Sequence, residues 1–298
     1  MTKVVAVVQA RMASSRLPGK VLRRVGQQAV LTHVLARAKA IPGVDEVHVT
    51  TTPRLEDDAI TARCRGAGVG WTRGQVPGKN GKNDVLAGYV EAARVTKADI
   101  VLRITSDCPL LDPAIAESVL RAVHGYHYAS NVNPPTLYDG CDVEAFTQVA
   151  LTIANAYAGD HEREHVTTFL RTDPDITRVN VTVPGDWSRI KLSVDTAADL
   201  ERIRKVWAQL PKPEFTWRDV VRGYRIAYPP SLLRRARRIF GAGSARIPEY
   251  LAGALQAADG ARCPFEPRAA ILGYEDVTEL GQMLSPDDVQ AIRDLIDV

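Results

Sequence analysis

Apolar positions along this chain follow two periods in alternation. Residues 4–10, VVAVVQA, form a continuous apolar run, the pattern of a central parallel strand buried on both faces. Residues 30–40 switch to helical spacing, and Pro42 and Gly43 end that element. The sequence VDEVHVTTT over 44–52 predicts a second strand. A helix over 57–66 ends at glycine, and 69–72 predicts a short third strand. A helix over 84–96, a fourth strand over 99–104 and a helix over 113–123 follow. This order predicts an α/β fold with a doubly wound sheet covered on both faces. Ligands in such sheets sit at the carboxyl ends of the strands.

The pattern then loosens. Residues 126–146 mix short β segments with turns, and 150–158 and 162–171 read as helices. Residues 177–183 and 189–194 read as a strand pair. A helix runs from 195–196 to about 209, and FTWRDVVRGY begins another. Strand-like runs vanish beyond about residue 229. The expected division is a main domain over 1–228 and a small helical appendage over 229–298. It reads either as a plain helical appendage or as an oligomerisation element, and the expected assembly is a homodimer.

Composition narrows the class without naming it. The chain of 298 residues is 45% hydrophobic and 24% charged, ordinary for a soluble globular protein. No run approaches the roughly 20 apolar residues that span a bilayer, and the first strand lacks the cleavage region of a signal peptide. Cys64, Cys108, Cys141 and Cys263 show no C-x-x-C spacing. That argues against a zinc ribbon, a redox pair or a disulfide framework, and a reducing cytoplasm is expected. A net charge of +3 is too small to imply a nucleic-acid partner. The basic run RRARR over 234–238 reads as a solvated helix face.

Candidate chemistry concentrates where the first strand ends. Residues 9–20 read QARMASSRLPGK. Ala10, Ala13, Ser14 and Ser15 are small enough for backbone amides to approach phosphate oxygens. Arg11, Arg16 and Lys20 place three cations in one loop, the neutralisation a triphosphate needs. Pro18-Gly19 sets the turn that delivers Lys20. Arg16 has a second reading as a structural ion pair.

This loop resembles the signature of the cytidylyltransferases that make CMP-activated sugar acids, such as 3-deoxy-manno-octulosonate and acylneuraminate cytidylyltransferases. Enzymes of the spore-coat-polysaccharide-synthesis branch carry very similar segments. RITSDCPLLDP over 103–113 resembles the family segment that carries a magnesium-binding aspartate, here Asp107. Ser130-Asn131, YDGCDVEAF over 138–146, REHVT over 163–167 and KLSVDTAADL over 191–200 resemble further blocks, the last containing Asp195. The resemblance implies a Rossmann-like mixed sheet of the nucleotide-diphospho-sugar transferase type. It also implies transfer of CMP from CTP to a small acceptor, with release of pyrophosphate.

Magnesium wants oxygen ligands, usually carboxylates together with phosphates and water. Asp107 and Asp195 are the expected metal ligands, each directly after a predicted strand. Asp107 has a second reading as a turn cap and Asp195 as a helix cap. Arg11 and Lys20 complete the expected catalytic set. Ala10, Ser14, Arg16, Thr105 and Ser106 are expected at the nucleotide. Arg73 joins them from a block resembling R-G-x-x-x-D-V-L, which is lengthened here by a glycine- and lysine-rich stretch, so that 78–82 reads as a lid loop. The acceptor side is expected to draw on Asn131, Asp139, Asp142, Glu144, Arg163, His165 and Lys191. Asp142 and Glu144 are expected on one face of a strand. Arg163 or Arg103 would suit an acidic acceptor.

Two rivals remain at this point. HEREH over 161–165 satisfies H-E-x-x-H, the helix motif of zinc hydrolases. It lacks a clear third ligand downstream. A degenerate nucleotide-binding module without catalysis is the other, against which the presence of Arg11, Lys20, Asp107 and Asp195 argues.

Overall fold

The computed structural model describes residues 2–78, 83–212 and 214–227. Residues 79–82 of the expected lid, the expected appendage over 229–298, Cys263 and the RRARR run lie outside the described residues. The chain divides into two compact units, Met1–Val221 and Arg222–Val298. The strands below all belong to the first.

A seven-stranded mixed sheet forms the frame. Its strands are β1 (Val4–Gln9), β2 (Glu46–Thr50), β3 (Gly70–Thr72), β4 (Ile100–Thr105), β5 (Tyr128–Ser130), β6 (Glu144–Thr147) and β7 (Arg178–Asn180), in the spatial order β7-β5-β6-β4-β1-β2-β3. β1 pairs in parallel with β2 on one side and β4 on the other. β6 is antiparallel to both β4 and β5.

Alternation along β1 explains its unbroken apolar sequence. Val4, Ala6 and Val8 pack into one core layer with Leu31, Leu35, Ile60 and Val119. These come from α1 (Val30–Lys39), α2 (Asp58–Gly66) and α4 (Pro113–Ala122), all on one face of the sheet. Val5 and Val7 face the other layer with Leu86, Tyr89, Leu151 and Leu170. That layer is built by α3 (Val85–Thr96), α5 (Gln148–Tyr157) and α7 (Thr168–Thr172), with α6 (Asp160–His165) contributing no buried residue. The chain continues through α8 (Ala197–Trp207) and α9 (Trp217–Ala227). No helix among the described residues is long and apolar enough to cross a membrane.

Two elements depart from the sequence reading. The helix expected over 162–171 is two short helices, broken at Val166, whose φ is 57°. Val166, Phe169 and Leu170 are all buried in the same core layer, while the piece before the break has no buried residue. The strand expected over 189–194 is not a strand. The segment expected to pair with it forms β7 and pairs with β5 instead, and 189–194 runs past Gly140, with φ at 118°, where a Cβ would meet the Leu192 backbone at 2.6 Å. Only a single bridge survives there, between Asp139 and Lys191. The Asp139 amide donates to the Ile190 carbonyl at 3.0 Å, and the Val194 amide donates to the Asp107 carbonyl at 2.9 Å. Those contacts bring Asp195 to the end of β4.

Candidate active site

β1 is the point where the winding reverses, with β2 on one side and β4 on the other. The loops after β1 and β4 therefore part and leave a crevice, the usual ligand site of such sheets. A cleft of ≈ 250 Å³ opens there.

The loop after β1 is pinned from beneath. The Ala10 amide donates to the Thr50 carbonyl at 3.0 Å. The Met12 amide donates to Asp57 Oδ1 at 2.7 Å, and the Thr51 hydroxyl and Thr52 amide donate to Asp57 Oδ2. Asp57 is buried, so its carboxylate is spent on holding this loop to the end of β2. The Gly19 amide closes the loop onto the Met12 carbonyl at 3.0 Å. Gly19 itself takes a left-handed conformation, φ 67°, and sends Lys20 back into the cleft.

Ala10, Arg11, Ser14, Arg16, Lys20, Thr105, Ser106, Asp107 and Asp195 all line this cleft. Ser15, read as part of the phosphate-approaching loop, lines it as well, and Gln9, Val21 and Gln75 line it beyond the residues that sequence reasoning places at the nucleotide. Gln75 is buried and donates to the Thr50 carbonyl at 2.7 Å. Arg73 lies elsewhere: its guanidinium donates to the Thr52 carbonyl at 3.1 Å and pairs with Asp58. It ties the loop after β3 to the start of α2.

At the centre, Lys20 Nζ lies 2.5 Å from Asp107 Oδ2 and 3.0 Å from Asp195 Oδ1. Burial pushes the Lys20 ammonium down, but the two carboxylates outweigh it and leave it above its ordinary value. Asp195 also meets Arg16 Nη2 at 2.9 Å and Lys191 Nζ at 2.9 Å. Burial raises its carboxyl, and the Lys191 and Lys20 ammoniums more than offset that and lower it. Asp195 does not cap the helix that follows. Thr196 does so, in a capping box with Asp199, which leaves the Asp195 carboxylate to the cleft.

The expected acceptor residues divide into groups. Asp139 lies beside Lys191 and is raised by burial, with the charges of Asp107 and Asp195 adding to the effect. Asp142 is pushed up to about 7 by burial and then by Asp139 and Glu144. Asn131 is buried, and its amide spans the Cys141 carbonyl and the Val143 amide at 2.8 and 2.9 Å. β6 starts at Glu144, so Asp142 precedes the strand and the two do not share a strand face. Glu144 is 1% exposed and turned into ion pairs with Arg103 and Arg171. Arg163 pairs with Asp84 at 2.6 Å and lines a different hollow of ≈ 440 Å³, which shares no residue with the cleft. His165 is exposed beside His161, ring centroids 4.6 Å apart. Among the described residues no group of three or more His, Cys, Asp or Glu is placed to hold a metal ion, so HEREH has no third protein ligand there.

Asp142 sets a stability prediction. Its folded carboxyl titrates near 7 against an ordinary 3.8, so the native state holds that proton longer than the unfolded chain. The associated stability is complete below the ordinary value and is lost as pH rises toward 7. Asp142→Asn, which cannot ionise, is expected to be more stable than the parent at pH 8 by up to about 4 kcal/mol. The difference should close near pH 4. Urea melts at both pH values check this, and a gap independent of pH would exclude the burial of a titrating carboxyl.

A family model described as Cytidylyltransferase matches residues 5–213. An uncharacterized protein of Methanocaldococcus jannaschii is 31% identical over 216 residues, covering 70% of this chain and 84% of that protein. The spore coat polysaccharide biosynthesis protein SpsF of Bacillus subtilis is 28% identical over 216 residues, covering 70% and 87%. Among solved structures, a cytidylyltransferase from Leptospira borgpetersenii superposes with a TM-score of 0.70 at 28% identity, covering 74% of this chain and 93% of that one.

Proposed function

Because this chain belongs to the cytidylyltransferase family of CTP-dependent nucleotidyltransferases, we propose that it joins CMP to a hydroxyl of a small acceptor, a sugar acid, a sugar or a phosphonate, using magnesium held by Asp107 and Asp195. The observation that carries the reading is the single ammonium of Lys20 shared by those two carboxylates at the mouth of β1 and β4. Carboxylates close enough to share one small cation suit a divalent one, with phosphate oxygens and water supplying the remaining ligands. Magnesium held by those two carboxylates would supply neutralisation of phosphate charge during displacement at the α-phosphorus.

The chain's own residues then have distinct roles. The backbone of Ala10 to Ser15 and the cations Arg11, Arg16 and Lys20 receive the triphosphate. Thr105 and Ser106 form the opposite wall of the cleft. An acceptor approaching from the side of Asp139 and Asp142 meets the α-phosphate with Lys191 nearby. The acceptor oxygen forms a bond to the α-phosphorus, the bond to the β-phosphate oxygen breaks, and pyrophosphate leaves with that electron pair. The hydroxyl proton passes to solvent. Arg11 and Lys20 stabilise the charge that gathers on the departing pyrophosphate.

The test is pyrophosphate release from CTP, ATP, GTP or UTP against pools of sugar acids, sugars and phosphonates, with magnesium and with EDTA. Release is expected from CTP alone, and EDTA is expected to abolish it. Release that ignores EDTA, or that requires another nucleotide, would overturn the proposal. Stoichiometric zinc lost in His161→Ala would instead support a hydrolase at HEREH.

A further inference from the structure

Asp195 has little room for another cation as the structure stands. Its Oδ1 is shared by Lys20 and Arg16, and its Oδ2 is taken by Lys191. Asp107 Oδ2 is held by the same Lys20 ammonium at 2.5 Å. Lys20, Asp107 and Asp195 are all largely sheltered, with side chains 14, 22 and 20% exposed. Water therefore screens this contact less than it would an open surface pair. The charge count points the same way. Asp107, Asp195, Asp199 and Asp139, the last beside Lys191, are balanced by Lys20, Arg16, Lys191 and Arg202, with Asp199 sharing Lys191 at 3.4 Å and paired with Arg202. Nothing in this count leaves the negative surplus that draws a bare dication into a site.

Resting on the proposed reading of this cleft as a triphosphate and metal site, we infer that Lys20 also guards the metal position. Its ammonium stands in for the divalent cation and excludes it until nucleotide phosphates draw the ammonium away. A cation within about 2.1 Å of a carboxylate oxygen competes directly with an ammonium hydrogen-bonded to that oxygen. A triphosphate arriving on the loop brings several negative charges within reach of Lys20. The ammonium then exchanges one set of oxygens for another, and the vacated carboxylates take the metal that arrives with the nucleotide. Gly19 and the single helical turn Lys20–Leu22 place this side chain at the loop's end, within reach of both sets. Metal and nucleotide consequently occupy the site together, and metal alone binds poorly.

The experiment measures Mn²⁺ binding to the full chain by loss of the free-ion electron paramagnetic resonance signal, with and without CTP. Without CTP, Lys20→Met is expected to bind Mn²⁺ about tenfold tighter than the parent, since one opposing charge is gone. Lys20→Gln replaces it where Lys20→Met does not fold. Lys20→Arg is expected to stay as weak as the parent. Arg16→Met removes an equal charge that touches Asp195 but not Asp107, and is expected to change the affinity by less than about threefold. Unchanged affinity in both neutral Lys20 variants, or an equal gain in Arg16→Met, overturns the inference while leaving the metal reading intact. A parent protein that takes up no Mn²⁺ even with CTP overturns the metal reading and this inference with it. Tight binding by the parent without CTP overturns the inference alone.

Discussion

Replacing Asp107 by asparagine is expected to cut the rate of CMP transfer by roughly 10³-fold while changing the melting temperature little. The substitution keeps the size of the side chain and most of its hydrogen bonding. It removes the charge that faces Lys20 and, in the proposed complex, half of the protein's hold on magnesium. Lys20 keeps its pair with Asp195 at 3.0 Å when Asp107 is neutral, so its ammonium is not left without a carboxylate and the fold should persist. Activity and fold are thereby separated. The primary measurement is kcat for pyrophosphate release, with the acceptor selected by the screen. A second readout needs no acceptor. CTP with magnesium should raise the melting temperature of the parent by mass action, and Asp107→Asn should lose the part of that rise that depends on magnesium. A variant with parental kcat, or with the full magnesium-dependent rise, would remove Asp107 from the active site.

The contrast between Asp107 and the acceptor residues shows where sequence reading succeeds. The loop after β1 is contiguous, so an apolar strand running into small and cationic residues places Ala10, Arg11, Ser14, Arg16 and Lys20 on one crevice with no knowledge of the rest of the fold. All of them line the cleft. Asp107 is accessible for the same reason, as the residue just past a strand that the βα order sets beside β1. Asp195 is 175 positions from Lys20 and is placed through a resembling block and a strand expected just before it. The strand expected before it is absent, and a lone bridge at Lys191 takes its place. Asp57 and Gln75 escape sequence reading because their roles rest on contacts across the sheet ends. A threonine run followed by an acidic residue at a helix start, TTPRLED, is the available signal for Asp57. A block pattern points Arg73 at the nucleotide, and local hydrogen bonds to Thr52 and Asp58 decide its position instead. A resembling block and alternation with Asp142 point Glu144 at the acceptor. Its true surroundings depend on the antiparallel register of β6, which no local pattern encodes.

That register makes Glu144→Ala the most destabilising single change expected in the described fold. Glu144 lies directly across from Arg103 on β4 and is buried. Its carboxylate pairs with the Arg103 guanidinium, accepts from Arg171 Nε at 3.1 Å, and accepts from the Tyr128 hydroxyl at 2.5 Å. Burial alone would raise this carboxyl, but Arg103 and Arg171 outweigh it and hold it at about 2. Removing it leaves the Arg103 charge in the sheet without its carboxylate, and Arg103 Nε is already buried with no partner among the described residues. Loss of one member of such a pair costs about 3–5 kcal/mol, or roughly 10 °C in melting temperature. Replacing both charges by apolar groups, Glu144→Leu with Arg103→Met, should recover most of that loss, because a buried pair contributes little beyond offsetting its own desolvation. Equal losses in the single and double variants would show that the network does not hold β4 to β6. The pH dependence gives an independent check. The folded carboxyl lies below its ordinary 4.5, so its contribution is complete above that value and is lost as pH falls toward 2. The stability gap between parent and Glu144→Ala should therefore narrow over that acid range. Arg103 also precedes Thr105 and Asp107 on the same strand and its exit loop. Loosening β6 at Glu144 should thus lower CMP transfer at temperatures where the variant is still folded.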